Sequence, residues 1–519
     1  MDEKKKEGKE GKVTRRQFLK TTALAGAATT VPGLFNILGK RAYAAGNPVR
    51  LLIAPAPIIT PGQMTAGHAA NVAGLLYDWL FRLEGPEQTF TNSLAEKVEH
   101  TRDMTKYTIK LREKVKFHHG TEFTAEDVIF TVNRWLDPSV GSSLKKVFSN
   151  LDNVETIDRY VVRFNLKRPD PDFLLKFLEY NSAMVAHDYD YKQYGNTKPS
   201  GTGPFKIVSY APGQRMSLER NRDYYIPGLP KVDNFEVIYI SDLQTQLMTL
   251  EAGQADIIRM LGMQYISRYR NHPDVTVVSM EGAYHIPITM RCDQPPFNDN
   301  RVRQAMKLVV DRKKMLESVA YGYGVTANDN HIWPKNQWYV DIGMKEQNID
   351  KAKELLSQAG YSKGLDVEFY VPTNNPPSMD YAITFQEMAK AAGINLAIRG
   401  YPIDIFEGKY WRNVNLQCSV WGHRENPLNL LALALRSDGP WNEGHYKNPE
   451  LDKLIDDASE EIDPAKRRTM FKKMEVLLSE EGPSVLPFFY NFFAAVRKNV
   501  TGFQLTRTTQ NDYRYVQIS

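Results

Sequence analysis

The chain has 519 residues, with 66 Lys+Arg against 61 Asp+Glu, 42% hydrophobic residues and two cysteines. Residues 1–44 hold ten of the basic and four of the acidic residues, so the remainder carries 56 against 57 and lacks the basic footprint of a nucleic-acid binder. A body of that length exceeds one hydrophobic core and implies two or three domains.

The first element is an export leader. Thr14-Arg15-Arg16-Gln17-Phe18-Leu19-Lys20 is followed by a weakly apolar run to Leu38, then Lys40-Arg41 and Ala42-Tyr43-Ala44. Paired arginines, a Phe-Leu-Lys tail and an Ala-x-Ala stop have the form of a twin-arginine signal, cleaved near Ala44, with the translocase as its partner in export to the periplasm. Thr21, Thr22, Gly26, Thr29, Thr30 and Gly33 make the run too polar for a good bilayer span, the bland alternative being an uncleaved anchor. No cysteine lies in residues 1–44, which excludes lipid attachment there.

Beyond the leader, short β-rich runs alternate with helices, the pattern of an α/β fold. Tyr107–Leu111 and Tyr160–Leu166 read as strands. Between them Thr124-Ala125-Glu126-Asp127 opens a helix with Val128, Ile129, Val132 and Trp135 on one side, stopped by Asp137-Pro138. Asn300–Val309 places Val302, Ala305, Met306 and Val309 at helical spacing, and Asp311 leads into another helix. Asp350–Ala359 is a helix capped by Gly360, and Asp366–Val371 returns as a strand. The last helices span Pro449–Glu460 and Pro464–Glu480.

Searches for catalytic chemistry return little. No phosphate-binding loop and no His-Glu-x-x-His helix occur. Gly360-Tyr361-Ser362-Lys363-Gly364 matches the nucleophile elbow of a hydrolase, but its expected order is helix, turn, strand, the reverse of what an elbow requires. His118 and His119 are adjacent and expected to serve a turn rather than a metal. Cys292 and Cys418 are read as free thiols, with one bridge as the alternative. The segment Cys418–Asn442 differs: Trp421, His423, Arg424, Glu425 and Trp441 sit in a loop broken by Gly and Pro. Aromatic walls with a few polar groups suit a small-molecule pocket, the alternative being tryptophans that seal a domain edge.

Five segments together resemble the extracellular solute-binding proteins of family 5, the peptide- and nickel-binding components of ABC importers. They are Leu94–Lys97 with Tyr107–Arg112 and Phe117–Gly120, ending at Asp127-Val128; Ser200–Phe205 with Asn221–Tyr225; Pro296–Asp299 with Arg301–Ala305; Ala352–Tyr361; and Tyr446–Asp452. The resemblance implies a two-lobed periplasmic binding protein clamshell with an extra subdomain inserted in lobe one. Lobe one would hold residues 46–282 plus 486–519, with the insertion at about 86–195, and lobe two residues 283–485. Glu281-Gly282-Ala283 and Pro487-Phe488-Phe489 would be the hinge crossings. It implies a monomeric carrier, not an enzyme, without cofactor, that delivers a peptide-like or other small polar or anionic solute to permease subunits.

Peptide-binding members hold the ligand's α-ammonium with an aspartate in the loop matching Trp421–Pro427, and alignment on Asn426-Pro427 puts His423 there. An imidazole opposite an ammonium loses or reverses the Coulomb attraction. Glu425 is the nearby substitute, and Arg291 stands where asparagine is common. The expected ligand contacts are therefore Trp421, His423, Arg424, Glu425, Trp441 and Arg291, with an anionic or aromatic solute favoured. A nickel or metal–chelate carrier using His423 or His445 is the alternative within the family. A secreted hydrolase and a chaperone or sensory module on the same fold are the alternatives of other classes.

Overall fold

The computed structural model describes residues 46–55, 58–64, 67–373 and 377–519; the leader and its cleavage site lie outside them. Two large sheets organise the chain. In the first, Val49–Ile53 runs parallel to Asn234–Tyr239 on one side and to Ile257–Ile258 on the other. Antiparallel strands Phe205–Ala211 and Arg215–Arg220 extend one edge; Phe488–Arg497 and Val275–His285 extend the other. The second sheet takes the order Ile394–Tyr401, Leu365–Pro372, Leu416–Cys418, Ile288–Met290, Ser484–Val485.

The chain passes from the first sheet to the second and back, and between these points Gly324–Thr326 also pairs onto Phe488–Arg497 of the first sheet. Val275–His285 belongs to the first and Ile288–Met290 to the second, so the first exchange falls at Ile286-Pro287. Glu281-Gly282-Ala283, expected as a hinge crossing, lies just before this exchange, in the strand paired to Phe488–Arg497, where a register shift between Met280 and Tyr284 bends it. The return falls at Leu486-Pro487, between Ser484–Val485 and Phe488–Arg497, and so includes the expected Pro487.

A third unit has its own sheet and core. Ala95–His100, Lys106–Leu111, Val161–Leu166 and Leu151–Asp158 form a four-stranded antiparallel sheet covered by the helix Ala125–Leu136. That helix begins as its sequence implies, with the Asp127 carboxylate accepting the Thr124 backbone N–H at 2.7 Å. Ala125, Val128, Val132 and Trp135 are buried against Phe148, Phe164 and Phe177, while Ile129 is only half-buried.

Gly201 and Gly203 matter for a reason other than backbone freedom. A Cβ on Gly201 would stand 2.1 Å from the Leu76 carbonyl oxygen, and one on Gly203 2.3 Å from the Leu76 carbonyl carbon. His118 fastens this turn, its Nδ1 accepting from the Gly201 N–H and its Nε2–H donating to the Gly203 carbonyl at 3.0 Å. His119 contacts Ser200 and Asp188, so both histidines serve the turn. Cys292 and Cys418 are free thiols. Ser362 is exposed on the turn between the helix Ile349–Gln358 and the strand Leu365–Pro372, the order opposite to a nucleophile elbow.

Candidate functional site

The loop after Leu416–Cys418 leaves the second sheet where the first crossing arrives. Trp421 and His285 exchange backbone hydrogen bonds, Trp421 N–H to His285 at 3.0 Å and His285 N–H to Trp421 at 3.2 Å. His423 Nδ1 accepts the Ala283 N–H at 2.9 Å, so its Nε2–H donates to Glu425 Oε1 at 3.0 Å. Both ring nitrogens are thereby engaged, and the ring packs edge-on to Trp333. Asn426 then caps the helix Pro427–Ala434, accepting the Leu428 N–H at 3.0 Å.

The charged residues of the loop reach the other side of the crossing. Arg424 Nη1 donates to Glu179 Oε2 at 2.9 Å, and the Arg507 Nε lies 2.7 Å from Glu425 Oε1 as an ion pair. Burial pushes the Glu425 carboxyl up, but His423 and Arg507 more than offset this and hold it below the usual carboxylate range. Trp421 and Trp441 meet edge to face at 5.8 Å, with the Arg424 guanidinium over the Trp441 ring.

Trp421, His423, Arg424, Glu425 and Trp441 thus come together, whereas Arg291 pairs with its neighbour Asp293 at 2.8 Å. His445 also faces Asp293 and hydrogen-bonds the Arg412 carbonyl. Among the described residues no group of three or more His, Cys, Asp or Glu is placed to hold a metal.

Sequence reasoning missed the centre of this arrangement, Glu443. Its carboxylate is buried and accepts from Trp411 Nε1–H (2.8 Å), Trp421 Nε1–H (3.2 Å), the Ser419 hydroxyl (2.7 Å) and the Thr289 hydroxyl (3.1 Å). Glu179 and Arg507 were missed as well, being separated from their partners by 245 residues in one pair and lying in the terminal segment in the other. No local pattern marks either one.

A further seam joins the four-stranded unit to the helices Pro427–Ala434 and Pro449–Glu460, around a crevice of about 100 Å³. Its charges are matched internally: Asp170 with Lys176, Arg436 with Asp456, Arg168 with Glu460. Asp172 beside it takes a two-point pair from Arg467 on the helix Pro464–Glu481. This self-neutralised crevice is the weaker candidate for a ligand, because a solute would have to displace existing pairs.

A proton-ordered chain lies beneath the loop. His285 Nδ1–H donates to the Ala283 carbonyl at 2.7 Å, leaving Nε2 to accept His331 Nδ1–H at 2.9 Å, and His331 Nε2 accepts the Ser484 hydroxyl at 3.1 Å. Every site is used with both rings neutral. Burial pushes His285 down to about 4 and His331 well below its ordinary value; burial also takes His118 down to about 4. The unfolded chain binds these protons near pH 6.5, so the native stability is complete above that pH and falls as pH drops towards 4. Each of His118 and His285 is expected to contribute roughly 3 kcal/mol to this loss. Denaturant melts between pH 7.5 and 4 check it: His118→Gln, which keeps an amide to hydrogen-bond the turn, should flatten the slope.

Residues 89–439 match the family described as bacterial extracellular solute-binding proteins, family 5 Middle, and residues 12–32 match a twin-arginine translocation signal sequence. The chain is 26% identical over 487 residues to heme-binding protein A of Haemophilus influenzae, covering 87% of this chain and 88% of that one. It is 25% identical over 454 residues to the glutathione-binding protein GsiB of Escherichia coli K12, covering 84% and 88%. Among solved structures, the binding protein AgaA from A. tumefaciens R10 with agropinic acid superposes with a TM-score of 0.82 at 23% identity, covering 91% of this chain and 99% of that one. Periplasmic DppA from Helicobacter pylori with the peptide STSA gives 0.81 at 23% identity, covering 91% and 98%. The shared architecture is the two-lobed clamshell.

Proposed function

Because the chain belongs to the bacterial extracellular solute-binding proteins of family 5, we propose that it closes its two lobes on a small polar or anionic organic solute and presents it to an ABC-type permease. The twin-arginine signal directs it to the periplasm. One observation supports the proposal: the loop Ser419–Pro427 is tied to the crossing strand by Trp421 and His423, and its next two side chains pair with Glu179 and Arg507, which we assign to the opposite lobe. Closure and ligand contact are therefore made by one loop. A ligand that touches both walls shifts the open–closed equilibrium towards this form.

The relatives named for heme, glutathione, agropinic acid and peptides bind chemically diverse solutes, so fold and family leave the ligand open. What narrows it here is charge. Glu425 is committed to His423 and Arg507, which disfavours an ammonium partner at that position and favours a solute bearing acidic groups. The test is native mass spectrometry of the protein from its own periplasm, followed by small-angle scattering with and without the released solute. A retained small molecule whose re-addition contracts the particle supports the reading. A protein whose dimensions no solute changes would refute it.

Export is tested separately. Arg15→Lys with Arg16→Lys should leave the precursor in the cytoplasm, because the translocase recognises the guanidinium pair rather than charge. Cell fractionation and immunoblotting check this; a normal periplasmic yield would show that the general secretory route suffices.

A further inference from the structure

The carboxyl edge of the parallel strands in the first sheet carries a second feature. Val49–Ile53, Asn234–Tyr239 and Ile257–Ile258 run the same way, and Arg259 is the first residue beyond the last of them. Crevices at the carboxyl ends of parallel strands are where open α/β sheets place ligands. Arg259 is 2% exposed, yet no carboxylate pairs with it among the described residues. Its guanidinium stacks on Phe492 at 4.0 Å, and its Nε and Nη2 are buried without a hydrogen-bond partner.

Those two nitrogens form one edge of the guanidinium, the edge whose parallel N–H groups match both oxygens of a carboxylate. A buried cation held by a ring face and the neutral Tyr284 hydroxyl, with no counter-charge, is costly, and proteins rarely leave one unless a ligand completes it. The neighbouring chain repeats the pattern. Thr508 and Thr509 have buried hydroxyls without partners, and both amide atoms of Gln510 are likewise unpartnered. This segment stands at the meeting of the lobes: Arg507 pairs with Glu425, and its carbonyl accepts the Tyr284 hydroxyl at 3.2 Å. The Tyr284 ring stacks beside Phe492 and lies 3.8 Å from where a Cβ on Gly422 would stand.

We propose that Arg259 is the lobe-one anchor for a carboxylate of the transported solute, with the Thr508–Gln510 segment supplying neutral hydrogen bonds around it. This deepens, and rests on, the solute-binding reading. The site takes one planar anion, bound through the Nε and Nη2 edge, and the ligand then bridges from Arg259 to the loop at Trp421.

The test compares full-length mature wild type with Arg259→Met, both stripped of solute by unfolding and refolding. Sodium propionate is the probe, with sodium chloride at equal ionic strength as control. The Met variant alone should melt at a higher temperature than wild type, because an unpaired buried cation has been replaced by an apolar chain of similar length. Propionate should raise the wild-type melting temperature beyond chloride, and the variant should need about tenfold more propionate or show no response. Arg259→Lys, which keeps charge but lacks the two-point edge, should lose most of the preference for propionate over chloride. A Met variant less stable than wild type, or an identical propionate response in both proteins, overturns the assignment. If the periplasmic solute still contracts Arg259→Met with wild-type affinity, Arg259 is not the anchor while the solute-binding reading stands. If no solute contracts wild type, that reading itself fails.

Discussion

Asp172→Ala is expected to weaken solute-driven closure by two orders of magnitude or more. Arg467 is 2% exposed and holds Asp172 through both guanidinium ends, with its face on the Trp338 ring at 4.4 Å. Removing one partner of a buried pair leaves the other charge desolvated, at a cost of about 3–5 kcal/mol. With Asp172 and Arg467 on the two lobes proposed above, opening would hydrate Arg467 again, so the cost is expected to fall on the closed state and to read as lost affinity rather than global unfolding. The double replacement Asp172→Leu with Arg467→Met should recover most of the closure, since no charge then remains buried. Scattering and calorimetry with the native solute check both variants. An Asp172→Ala protein that binds and contracts like wild type would mean that this pair does not gate closure.

The second large effect belongs to Glu443. Glu443→Ala takes the carboxylate acceptor from the Trp411 indole N–H and from the hydroxyls of Ser419 and Thr289, while the Trp421 indole N–H keeps the Ser419 hydroxyl at 3.1 Å. Each buried donor without an acceptor costs roughly 1–3 kcal/mol, so a loss of about 3–5 kcal/mol is expected after partial relaxation. Glu443→Gln keeps one acceptor oxygen but turns an amide N–H₂ towards donors, and should fall between. Because Trp411 and Trp421 report on the site, denaturant melts followed by tryptophan emission read stability and loop order together. A Glu443→Ala midpoint within about 1 kcal/mol of wild type would show that the carboxylate is not the floor of this loop.

Both variants turn on groups that no local pattern identifies, and this separates what the sequence holds from what the fold adds. The helix at Ala125–Leu136 was legible because its start is a local hydrogen bond between Thr124 and Asp127, and its apolar spacing states which side is buried. Pro449–Glu460 and Pro464–Glu481 were legible for the same reason, with capping residues and proline at the first turn. The family, the twin-arginine leader and the aromatic, charged loop at Trp421–Trp441 were also readable, since each is carried by short contiguous segments, five of them for the family. That the chain leaves the first sheet at Ile286-Pro287 was decided by pairing with Phe488–Arg497, some 200 residues away. The close approach of Leu76, which leaves no room for a Cβ on Gly201 or Gly203, was likewise set only by the fold. The partners of Arg424 and Glu425, the four donors on Glu443 and the absence of a carboxylate partner for Arg259 were decided only in three dimensions. Charge type is written residue by residue, but whether a charge is neutralised depends on which distant segments share its low-dielectric surroundings, and only the tertiary structure brings those together.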